Sequence, residues 1–321
     1  MKKIFSLKIL FLLLSTFLVS GAARPTVILK GVLYRHSGIV ARELGCGYYV
    51  SGKNYFFARG RENFSFRAER ADFRASNISV AGSLPVRRVG NALYVSAIDV
   101  NTVLRPLFAP RQSVRRHSVK RIIIDPGHGG FDRGAAGKSI IEKKLVLQIA
   151  KRTADILKRC GYTCILTRRG DYLVPLNQRP LFANRSKGDL FISLHCNASK
   201  DTRAAGIETY CLTPAGASST NHQKVSGTAF PGNAFNANNF LLAYEIQRSM
   251  LLRTKGQDRG VRRSRFAVLR NLAMPGVLLE MGFITNAAEE RKLATPAYQE
   301  QIARAIAVGI ISYHRRIYSC R

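Results

Sequence analysis

The sequence predicts an α/β fold: a mostly parallel sheet flanked by helices, preceded by a small β-rich module. Two observations carry this. From Arg121 onward, apolar strand-like runs alternate with helical segments, the pattern of a largely parallel sheet. Between 24 and 110 the chain instead shows short alternating stretches separated by Gly and Asn turns, such as "YYVSGKNYFFARG" and "ENFSFRAE". The Ser- and Arg-rich segment 111–120, "RQSVRRHSVK", lacks apolar periodicity and reads as a linker.

In the second region the expected strands are "RIIID", "YTCILTR", "DLFISLHCN", "GIETYCL", "FAVLR" and "PGVLLEMGF". Helices are expected near residues 140–159, 238–254 and 297–315, and Pro180 predicts a kink or a late helix start. The stretch from Leu212 to Asn238 is rich in Gly, Ser, Thr and Asn and reads as a flexible loop, with His222 a solvated loop residue. In the first region "VSAIDVNTVLRPLF" predicts a closing short helix.

Residues 1–23 have the layout of a secretory signal peptide. A basic "MKK" precedes a short apolar run and the small residues "SGAA", consistent with cleavage after Ala22 or Ala23. The run is short for a membrane span, no cysteine follows it, and the mature chain is expected to be exported, most simply to a periplasm, without a stable membrane anchor. Six cysteines remain after the leader without any Cys-x-x-Cys pair, which excludes a zinc ribbon or a thioredoxin-like motif.

The formal net charge is +32. Charge alone invites a nucleic-acid reading, but no nucleic-acid motif accompanies it, and for an exported protein an anionic envelope polymer is the better-matched partner. A serine acyl-transfer enzyme of the Ser-x-x-Lys type is excluded, because no serine has lysine three residues on.

Four residues attract attention as chemistry. His128 follows the first strand inside "DPGHGG", where the glycines allow a sharp turn and close approach of a ligand. His195 ends "DLFISLH" at the same edge of the sheet, and its neighbour Cys196 must face the opposite way. Glu142 opens a helix just after the His128 loop; its distance from Ser139 also fits a capping box, and a side chain bonded back to its N-cap could not bind a metal as well. Glu280 closes "PGVLLE", where desolvation raises a carboxylate pKa and suits it to proton transfer. His128, Glu142 and His195 would give three protein ligands with an open fourth position, the layout of a catalytic zinc site, and Glu280 would be the base.

"IIIDPGHGGFDRGAAG", "EKKLVLQIA", "LNQRPLFANRSKGDLFISLHCNAS", "GIETYCL" and "MPGVLLEMGFITN" together resemble the zinc-dependent N-acetylmuramoyl-L-alanine amidases over about 121–315. The resemblance implies zinc (Zn2+) on His128, Glu142 and His195, a catalytic Glu280, and a peptidoglycan or muropeptide substrate cut between N-acetylmuramic acid and L-alanine. Such enzymes serve wall remodelling or daughter-cell separation. Some cell-division relatives carry a longer insertion whose helix blocks the zinc; the short segment after Leu212 implies an open site needing no activator protein. Residues 77–108 resemble the β-rich module at the start of copper amine oxidases, which implies a binding or targeting role. The competing class is a catalytically silent peptidoglycan-binding envelope protein, against which stands the presence of all four site residues.

Overall fold

The structure is a computed structural model, and it describes residues 24–220 and 224–318. Residues 1–23, expected to be a leader, His222 and Cys320 lie outside the described residues.

Eleven strands form one large sheet. Numbered in chain order, these are β1 (Gly47–Ser51), β2 (Asn54–Arg59), β3 (Glu62–Phe66), β4 (Asp72–Ala75) and β5 (Ile78–Ala81) from the first region. The second region supplies β6 (Arg121–Pro126), β7 (Thr163–Leu166), β8 (Leu190–Asn197), β9 (Ile207–Leu212), β10 (Asp258–Ser264) and β11 (Gly276–Phe283). Their order across the sheet is β7-β6-β8-β11-β9-β10-β5-β4-β3-β2-β1. From β7 to β10 all neighbours are parallel except β9 against β11. A separate antiparallel sheet joins Thr26–Leu29, Val32–His36, Ala92–Ser96 and Arg87–Val89.

The pleat sorts the apolar residues onto two faces. Ile122 and Ile124 of β6, with Ile192 and Leu194 of β8, join the larger core beneath α1 (Glu142–Arg159), α3 (Asn236–Thr254) and α4 (Pro296–Tyr318). Ile123 and Phe191 point the other way, into a smaller cluster with Ala183 of α2 (Gln178–Arg185) and with Val268 and Leu269. Because both faces are covered, the central strands read as continuous apolar runs. Pro180 sits in the first turn of α2, where its missing N–H costs nothing, so the helix starts late instead of kinking. Among the described residues no helix is long and apolar enough to cross a membrane.

Three local expectations are corrected. "FAVLR" contains a helical turn, Ala267–Arg270, and the strand lies just before it as "DRGVRRS". That strand hid from an apolar-run reading because its buried position 263 is an arginine. The Arg263 guanidinium donates through Nε to the Ala81 carbonyl at 3.3 Å and through Nη2 to Thr102 Oγ1 at 3.0 Å, with the Phe240 ring beneath it. Next, the described part of the segment after Leu212 is held in place: Arg265 donates to the carbonyls of Pro214, Ala217 and Ser226, and a small hairpin pairs Ala217–Ser218 with Val225–Ser226. Finally, segment 111–120 is packed, with Val114 and Val119 buried and Asn238 bonded to both the N–H and the carbonyl of Arg115.

The first region is therefore built onto the second. Strand β5 pairs in parallel with β10, and the helical stretch over residues 97–108 lies against α3. A chain beginning at Ser118 would bare the β10 edge and leave the Arg263 charge without its Ala81 and Thr102 partners. Such a chain is expected to unfold at a clearly lower urea concentration than the chain from Arg24. Equal midpoints would show that the two regions are energetically independent.

Candidate metal centre

The loop after β6 is fixed by buried charges. Asp125 is fully buried and accepts from Arg179 Nη1 at 2.7 Å, Thr167 Oγ1 at 2.6 Å and Ser193 Oγ at 2.8 Å. Arg179 also donates to the carbonyls of Pro126 and His128. Arg168, equally buried, donates to the carbonyls of Pro126, Gly127 and Lys143. These two guanidiniums satisfy a turn that makes few bonds of its own. They hold His128 at φ 60°, a left-handed backbone that non-glycine residues adopt only when their surroundings impose it.

Held this way, His128 faces Glu142 and His195. Glu142 Oε1 lies 3.1 Å from His128 Nε2 and 3.1 Å from His195 Nδ1. The ligand atoms of all three residues fall within 4.8 Å of one another, the one such group found among the described residues. The imidazole rings stand edge to face, 4.9 Å between centroids. Gly127 and Gly134 permit this approach: a Cβ on Gly127 would lie 2.2 Å from His195 Cε1, and one on Gly134 would lie 2.6 Å from Glu142 Oε2.

The capping-box reading of Glu142 fails. The residue before helix α1 is Ile141 and provides no side-chain cap, while Ser139 bonds to Glu290 through both its N–H and its hydroxyl. The Glu142 carboxylate instead accepts from the Ala135 and Cys196 N–H groups. Burial alone would raise its pKa, but hydrogen bonds from His128 and His195 outweigh that and hold it well below the carboxylate range. Burial likewise lowers the His128 pKa, and the carboxylates of Glu142 and Asp132 more than reverse the effect.

Asp132 was not anticipated from the sequence. It lies 2.9 Å from His128 Nδ1, so it fixes the ring and leaves Nε2 for the centre of the cluster. Its position in "HGGFD", four residues beyond the histidine, was the available signal. Cys196 faces away, buried in the larger core, as strand alternation required. Among the described residues the cysteines form no disulfide.

Glu280 stands opposite His195 in the β8–β11 register and opposite Glu208 in the β11–β9 register. Its side chain is only partly exposed, and Oε2 is buried without a hydrogen-bond partner among the described residues. Desolvation, followed by the charges of Glu142 and Glu208, pushes its pKa well above the usual value. An unpartnered carboxyl oxygen beside a cluster of metal-type donors is suited to proton transfer.

The N-acetylmuramoyl-L-alanine amidase profile matches residues 122–312. The chain belongs to the N-acetylmuramoyl-L-alanine amidase family. It is 34% identical over 229 residues to N-acetylmuramoyl-L-alanine amidase AmiA of Escherichia coli K12, covering 63% of this chain and 79% of that one. It is also 34% identical to LytC of Bacillus subtilis 168 over 227 residues, which is 71% of this chain but 40% of LytC. The solved N-acetylmuramoyl-L-alanine amidase of Clostridium difficile 630 superposes with a TM-score of 0.52 at 34% identity, covering 61% of this chain and 97% of that one. This amidase is thus a peptidoglycan hydrolase, and what exceeds the solved amidase is largely the first region.

Two outcomes test the geometry. Gly127→Ala should leave the chain folded while displacing His195, so metal retained after dialysis should fall sharply; unchanged metal content would contradict the packing described here. Arg179→Met leaves Asp125 buried without its cation, and urea denaturation should register a loss of about 3–5 kcal/mol. A negligible change would show that Asp125 finds another partner.

Proposed function

We propose that this chain hydrolyses the amide between the lactyl group of N-acetylmuramic acid and L-alanine of the stem peptide, with zinc as its metal. The observation that carries the reading is the convergence of His128, Glu142 and His195 within 4.8 Å, with Glu280 on the neighbouring strand, in a chain of this family. The donor set fits the metal: two imidazoles and one carboxylate leave a fourth position open, as catalytic zinc requires. Bound there, zinc would supply Lewis-acid chemistry to the reacting carbonyl.

The protein's own part follows from its residues. His128, held through Nδ1 by Asp132, and His195 would present ring nitrogens to the metal, and Glu142 would add its carboxylate. Glu280 takes a proton from the attacking water on its carboxylate and returns it to the departing L-alanine amine. Its raised pKa suits it to hold that proton between the two steps.

The wider setting is read from the sequence. The leader marks the mature chain for export, periplasmic in a double-membrane cell, and wall remodelling or daughter-cell separation is the matching role. No activator is required on this reading, because the stretch from Thr213 to Asn238 is short, polar and without the apolar helical stripe that a blocking helix needs to dock.

His128→Ala and His195→Ala are expected to lose both zinc and activity. Glu280→Gln should keep zinc and lose activity by roughly 10²-fold or more. Wild-type turnover in Glu280→Gln would make that residue structural. Bound zinc in the wild-type chain with no release of stem peptides would mean a silent wall-binding protein.

A further inference from the structure

The face of the sheet that carries the site does not stop at the second region. Residues paired across neighbouring strands point to the same side of a sheet. His195 pairs with Glu280 and Glu280 with Glu208. Tyr210, on the same face of β9 as Glu208, pairs with Arg262 of β10. Val261 pairs with Val80, which puts Arg262 on the face of Ser79, and Ser79 pairs with Arg74 of β4. One sheet face thus leads from Glu280 to Arg74, four strand spacings or about 19 Å; Glu208 and Tyr210 are buried along it, beneath the partly exposed Arg259 and Arg262.

A cleft of about 1040 Å³ opens on this surface where the two regions meet. Its walls include Arg67, Arg70, Arg74, Arg87, Arg259 and Arg262. Their partners leave cationic capacity over. Arg67 and Arg70 share the single carboxylate of Asp72. Arg259 and Arg262 share one oxygen of Glu208, each through Nε at 2.9 Å. Arg74 donates to the Asn77 carbonyl and has no carboxylate partner among the described residues. A guanidinium offers five N–H donors, so two on one carboxylate retain donors for a second anion. Of the other acids lining the cleft, Glu69 is paired with Arg87, and Asp258 is engaged by the Ser79 N–H and by Gln247.

We propose that this cleft binds the carboxylates of the acidic stem peptide while the amide it hangs from lies at Glu280. The proposal rests on the amidase reading for the choice of ligand. It makes the first region part of the substrate-binding surface, with Arg67 and Arg74 binding the peptide. The cleft's reach suits a peptide: five or six extended residues span about 19 Å at roughly 3.3 Å each.

The test is fluorescence anisotropy on the full mature chain. The probes are a labelled synthetic stem peptide with free carboxylates and the same peptide with every carboxylate converted to a carboxamide. The free acid should bind roughly tenfold more tightly, the scale of two partly solvated charge-assisted hydrogen bonds. The double variant Arg67→Ala, Arg74→Ala should erase that gap; Asp72 keeps Arg70 as its partner, and a melting curve checks the fold. Equal affinity of the two peptides for the wild-type chain overturns the proposal without any variant. A gap that persists in the folded double variant overturns it as well. Tighter binding of polyphosphate than of the free-acid peptide, lost in the double variant, would overturn the choice of a peptide ligand. Hydrolysis of whole muropeptides by the same sample reports separately on the amidase reading, since peptide binding does not require turnover.

Discussion

The buried pair between Asp125 and Arg179 governs the site. An ion pair taken out of water is stable only when its remaining hydrogen-bonding groups are met. Here they are met by Thr167, Ser193 and the carbonyls of Pro126 and His128. The pair thereby ties strand β6 to its neighbours and clamps the turn that follows. Arg168 grips the same turn from the helix side through Gly127 and Lys143. Without these guanidiniums the carbonyls of a Pro-Gly-His-Gly-Gly turn would be buried without donors, and the left-handed backbone at His128 would have nothing to impose it. Metal-type geometry at Nε2 is the consequence of charge buried one layer below.

Charge organises the other half of the surface too, by a different rule. Glu208 is buried beside Glu280 and is neutralised from the far side by Arg259 and Arg262. Two like carboxylates side by side would otherwise repel each other. The arginines lie on the Glu208 side, toward the first region, so Glu280 keeps an unpartnered oxygen. The same arginines line the cleft shared with the first region. The basic character that composition alone displayed is thus partly placed: six arginines line the cleft where two regions share one sheet face.

Much of this was legible in the sequence. Buried strands of a parallel sheet are uniformly apolar, so "RIIID" and "DLFISLHCN" announced themselves, and histidines at their ends fell on one edge of the sheet. The capping signal at Ser139 misled because a spacing rule does not show that another acid, Glu290, claims that serine. Strand β10 was hidden because Arg263 is buried through hydrogen bonds and ring stacking, which no apolar pattern reveals. Segment 111–120 looked like a linker because Val114 and Val119 are its only buried apolar residues among those described, and its other anchors are hydrogen bonds. The continuation of the catalytic sheet into the first region was beyond reach: a pairing between Val80 and Val261 is a contact across most of the chain. Arg168 and Arg179 act on the turn's backbone, and nothing in their local patterns marks them.

The central claim is that this chain, through a metal on His128, Glu142 and His195, cuts the bond between N-acetylmuramic acid and L-alanine. Mass analysis of purified peptidoglycan digested with the mature chain tests it most directly, run with and without a zinc chelator. The account predicts free stem peptides beginning with L-alanine and glycan strands with unsubstituted lactyl groups, both abolished by chelation and restored by added zinc. Cleavage within the glycan or inside the stem, or release of stem peptides that chelation leaves untouched, would contradict it.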